Sequence, residues 1–135
     1  MKVLAYGEIM DGGVSVFSSV AKRDGTKLIV TFGGVIRIDY PYKHLQGYIA
    51  QLEQLVSAED LQSVEFDFRE LSFCNSNGFY IIMDIAEFII AQVDGPIVVK
   101  RLEDDDWQQE TLPILLSADE PEIGERVVFE DMPEI

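Results

Sequence analysis

Residues 63–90 read SVEFDFRELSFCNSNGFYIIMDIAEFII, and the way this stretch divides decides the fold. Val64, Phe66 and Phe68 alternate with Glu65, Asp67 and Arg69. That period of two predicts a β-strand with one buried face. From Phe79 to Val93 the chain is mainly apolar, with a narrow stripe at Tyr80, Asp84, Glu87 and Ala91, spaced by threes and fours. This is the pattern of a helix with one narrow exposed stripe. Between them lie Asn75, Ser76, Asn77 and Gly78, small polar residues that suit an N-cap and a tight turn. Asn-Gly between apolar runs is also a hairpin signal. Asp84 and Glu87 favour the helix, because residues an odd number apart point to opposite faces of a strand.

On the N-terminal side, residues 1–13 carry a broken alternation and read as an extension or an edge strand. Val14–Val20 and Lys27–Phe32 are β-prone runs joined across Asp24-Gly25, which predicts a hairpin. Gly33-Gly34 is expected to end the second strand, and Pro41 to precede a helix from about Tyr42 to Val56. Leu45, Tyr48, Ile49, Leu52, Leu55 and Val56 give that helix its apolar face, and residues 57–60 lead out of it.

On the C-terminal side, Gly95-Pro96 breaks the pattern and Ile97–Val99 reads as a strand. Glu103 to Asp106 then place acids where a helix N-terminus favours them, before a helix over Trp107–Ser117 that Pro113 must kink or divide. Arg126–Phe129 returns as a last strand, and residues 131–135 read as a frayed tail. Strands alternating with helices after an initial hairpin predict an α/β domain, a mixed β-sheet packed with α-helices.

A strand ending in Phe73-Cys74-Asn75-Ser76-Asn77-Gly78 and opening an apolar helix resembles the STAS domain, the fold of bacterial anti-sigma factor antagonists. The likeness can be followed from about Val14 to Phe129. In that family the loop is usually aspartate, two residues chosen from serine and threonine, then glycine; Asn75 and Asn77 depart from it. The resemblance implies a single STAS-like domain over residues 1–135, without enzymatic activity or cofactor, that binds a regulatory protein. It implies that this partner is a serine kinase of the anti-sigma type, that Ser76 is the phosphoacceptor, and that Asn75, Asn77 and Gly78 form the partner-binding loop. An alternative is an unmodified structural subunit of a signalling scaffold or an ABC-type lipid transporter.

Independently of the likeness, a phosphate on Ser76 would sit beside a helix N-terminus, where free N–H groups and the helix dipole tolerate an anion. Asn75 and Asn77 also suit the turn itself, by side-chain hydrogen bonds. Gly78 suits either turn geometry or the close approach of a partner backbone.

The formal charge is −15, and it is uneven. Through Asp60 there are seven acids against six bases; from Leu61 onward there are eighteen against four. Such a surface repels nucleic-acid phosphates and anionic headgroups, which argues against nucleic-acid binding and direct membrane adsorption. One cysteine, Cys74, cannot form an internal disulfide and fits a reducing compartment. The first residues lack the apolar run of a signal peptide, so the expected location is the cytoplasm.

Cys74 and His44 invite a thiol–imidazole reading, but no third orienting residue accompanies them. Glu103 to Asp106 lack the alternate spacing and glycine of a calcium loop. No P-loop, HExxH, GxSxG or CxxC pattern occurs, and no metal site is expected.

Overall fold

The computed structural model describes residues 1–58 and 60–133, so Glu59, Glu134 and Ile135 lie outside it. In chain order the elements are β1 (Lys2–Asp11), β2 (Val14–Asp24), β3 (Lys27–Ile36), α1 (Pro41–Ala58), β4 (Ser63–Cys74), α2 (Ser76–Gln92), β5 (Ile97–Leu102), α3 (Asp106–Leu115), α4 (Pro121–Gly124) and β6 (Val127–Met132). The six strands lie in one sheet in the order of the chain. β2 runs antiparallel to both of its neighbours, β1 and β3, whereas β3, β4, β5 and β6 run parallel. The chain is thus α/β, with a mixed sheet packed with helices.

Because every parallel strand is added in the same direction, right-handed crossovers place α1, α2 and α3 on one face. The burial pattern agrees. Phe17, Leu28, Val30, Phe32, Val64, Phe66, Phe68, Ile97 and Val99 are buried, while the residues between them on each strand are mostly half-exposed. At the centre Phe32 stacks on Phe68, ring centroids 5.1 Å apart, with Phe66 beside both. Burying each such ring contributes about 2–3 kcal/mol, so this strand trio anchors the core. Tyr48 of α1 reaches over β2, where its hydroxyl bonds to buried Ser19 at 2.8 Å, and Ser19 donates to the Thr31 carbonyl.

The first thirteen residues hold a full strand rather than a loose extension. Asp11 closes a hairpin with Val14 through Gly12 and Gly13, both at positive φ, a turn that only glycine enters without strain. Gly33-Gly34 does not end β3. Gly34, at φ 97°, falls between two register irregularities, and the strand continues to Ile36 beside β4.

Pro113 neither breaks nor splits α3. The carbonyl that its missing N–H leaves free is that of Gln109, which accepts from the Arg101 guanidinium at 3.4 Å. The C-terminal tail is likewise shorter than expected. Asp131 and Met132 belong to β6, whose register is held by pairing with β5 and by the Asp131 carboxylate bonding to Arg101 and Gln109. The single turn α4 had no counterpart in the sequence pattern. Among the described residues, no helix is long and apolar enough to cross a membrane.

Candidate functional site

The carboxyl ends of β3 and β4 lie side by side, and the chain leaves each of them into a helix. Asn75 caps α2: its Oδ1 accepts from the Gly78 N–H at 2.9 Å. Its Nδ2 donates to the Ile38 carbonyl at 3.0 Å, and its own N–H donates to the Ile36 carbonyl. Asn77 Nδ2 donates to the Asp39 carbonyl at 2.9 Å. Both amides therefore clip the β3–α1 connection to the start of α2.

This use accounts for an asparagine at position 75. An aspartate there keeps the acceptor for the Gly78 N–H but has no donor for the Ile38 carbonyl, and faces it with a second oxygen. The signal was visible as two asparagines flanking a serine, but their partners, thirty-seven and thirty-eight residues away, were not.

Ser76 is the first helical residue of α2 and is exposed. Among the described residues its hydroxyl has no hydrogen-bond partner. Asn77 is exposed beside it, while Asn75 is half-buried. Gly78 is buried, and a Cβ there would lie 2.8 Å from Cβ of Ile36 and 3.0 Å from Cβ of Cys74. Its lack of a side chain serves the contact of α2 with the ends of β3 and β4.

Cys74 is buried, and burial pushes its thiol up to about 11, so little thiolate forms at neutral pH. His44 is exposed on α1, and no hydrogen bond joins it to the thiol. No base stands within hydrogen-bonding reach of the sulfur among the described residues. In the acidic run, Asp105 Oδ1 caps α3 by accepting from the Gln108 N–H at 3.0 Å. No group of three or more histidine, cysteine or carboxylate side chains is placed to hold a metal among the described residues.

A groove of about 440 Å³ runs between the first turns of α1 and α2. Buried Pro41 and Ile81 form its floor. Tyr42 comes from α1, Tyr80 from α2, and Tyr40 from the lip, with 58%, 57% and 77% of their surfaces exposed. Three tyrosines so exposed beside one groove are unusual for a surface with no partner. Tyr80 was visible in the sequence as part of the α2 stripe. Tyr40 and Tyr42 carry no such signal, because they flank Pro41 and only the pinned β3–α1 connection brings them to α2.

Compared with known proteins, the chain matches no family model and no curated protein.

Proposed function

We propose that this chain is a STAS-like regulatory domain of the cytoplasm that binds a protein partner and performs no catalysis of its own. The partner is a serine kinase of the anti-sigma type, and Ser76 is the hydroxyl it phosphorylates. The observation carrying this reading is the state of Ser76: exposed, at the first position of α2, with no internal hydrogen bond to give up among the described residues. The order β-strand, capped loop, apolar helix adds to it, as does the groove beside Asn77.

Phosphorylation need not disturb the fold, because the helix N-terminus accommodates the anion. It adds about −1.5 to −2 charges to the docking end, and a partner that closes over them without pairing them must desolvate them at a cost of several kcal/mol. At about 1.4 kcal/mol per factor of ten, affinity falls by two orders of magnitude or more. The partner is released.

The test is incubation with the cognate kinase and ATP followed by intact-mass measurement. One phosphate, absent from Ser76→Ala, supports the assignment; none, or one that persists in Ser76→Ala, removes it.

A second reading, an unmodified subunit of a signalling scaffold or an ABC-type lipid transporter, draws on the asparagine clips. They give the loop a fixed docking shape that needs no hydroxyl chemistry. Co-purification separates the two: a kinase accompanied by a sigma factor supports the first, an ATPase subunit the second.

A further inference from the structure

The groove between α1 and α2 has a chemistry more specific than that of an apolar patch. Its aromatic walls, Tyr40, Tyr42 and Tyr80, are each more than half exposed. The carboxylate-bearing Asp39 and Asp84 line it as well, against one cation, Lys43. Tyr80 and Asp84 are one helical turn apart on the exposed stripe of α2, so ring and carboxylate are immediate neighbours. Glu87 extends the negative stripe by another turn, and the whole chain carries −15. Aromatic faces beside carboxylates, in a chain this acidic, are complementary to a planar cation.

We infer that the groove receives an arginine side chain from a basic segment of the protein partner, its guanidinium stacked on Tyr80 and paired with Asp84. Arginine fits better than lysine, because its planar group stacks on a ring while its edge donates to a carboxylate. This rests on the partner-docking reading above but not on the modification of Ser76. Asp84 lies eight residues after Ser76, about 12 Å along the helix axis, so the cation site and the phosphoacceptor are separate parts of one face.

The experiment uses the full chain and two defined probes, N-acetylated tetra-arginine amide and tetra-lysine amide, titrated at low salt and followed by amide chemical shifts. The arginine peptide is expected to bind several-fold more tightly, because a guanidinium stacks flat on a ring and donates its edge to a carboxylate at once, which a lysine ammonium does not. Shifts are expected to cluster in residues 39–46 and 77–84. Tyr80→Ala, a surface change that leaves the amide spectrum of the fold intact, is expected to abolish the preference for arginine. Asp84→Asn weakens both peptides. Equal binding of the two peptides overturns the proposal, as does a preference that survives Tyr80→Ala, or shifts centred on residues 103–106. No kinase enters the titration, so its failure and the failure of the Ser76 assignment are separate results.

Discussion

The starts of α2 and α3 are built alike and end differently. Each helix follows a strand, and each is capped by a side-chain oxygen accepting from the N–H three residues on: Asn75 from Gly78, Asp105 from Gln108. At α3 the third helical residue is a fully buried glutamine. Gln108 Oε1 accepts from the Leu102 N–H, and its Nε2 donates to the Phe68 and Leu71 carbonyls, where β4 runs on beyond its pairing with β5. At α2 the third residue is a glycine pressed against two strand ends, and the hydroxyl and tyrosines around it face solvent. The third helical residue of one corner is spent tying strands together, whereas the other corner leaves its serine hydroxyl outside. Capping alone does not mark a functional loop, but unspent groups around a cap do.

Substitutions can break this contrast at either corner. The largest loss is expected for Gln108→Leu, which strands two buried carbonyls and one N–H and lowers stability by about 3 kcal/mol or more, read as a shift in urea midpoint. Gly78→Ala comes next. Its methyl overlaps Ile36 and Cys74, costing about 1–2 kcal/mol after the gain in helix propensity, by the same measurement. Asn75→Asp keeps the cap and loses the bond to Ile38, an expected cost of about 1 kcal/mol; an unchanged midpoint would show that the clip does not hold the loop.

A pH series sharpens the comparison along β4, which supplies both corners. At Asp67 burial acts to raise the pKa, but hydrogen bonds from the Arg69 side chain and N–H outweigh it and leave the carboxyl below its ordinary 3.8. A depressed folded value means that the contribution is complete above pH 3.8 and is lost as pH falls through the folded pKa. The stability difference between the wild-type chain and Asp67→Asn is therefore expected to shrink in acid denaturation below that pH. The smallest effects belong to Ser76. Ser76→Ala is expected to stay within about 0.5 kcal/mol of wild type, and Ser76→Asp to stabilise by a few tenths through the helix dipole.

Much of this arrangement is legible in the chain because its parts are local. The β4 alternation, the cap at Asn75 and the α2 stripe of Tyr80, Asp84, Glu87 and Ala91 need only periodicity and turn chemistry, and all four stripe residues are exposed. The hairpin between β2 and β3 follows from Asp24-Gly25 in the same way. What stayed hidden depends on contacts distant in sequence. Gly34 punctuates a strand in composition but serves an irregularity in register, which exists only once β4 lies alongside. Pro113 reads as a kink or a division of the helix until Arg101 supplies a donor for the Gln109 carbonyl. The tyrosine groove needed two helices to be brought together by amide clips that no local pattern reveals.

The most direct measurement is the affinity of the captured partner for the unmodified chain and for the chain carrying one phosphate on Ser76. Calorimetry on both forms, each checked to have the same circular dichroism spectrum, isolates the loop from the fold. The account predicts that the phosphorylated form binds at least about a hundredfold more weakly. Equal affinities for two equally folded forms would contradict it, because the Ser76 end of α2 would then lie outside the docking surface.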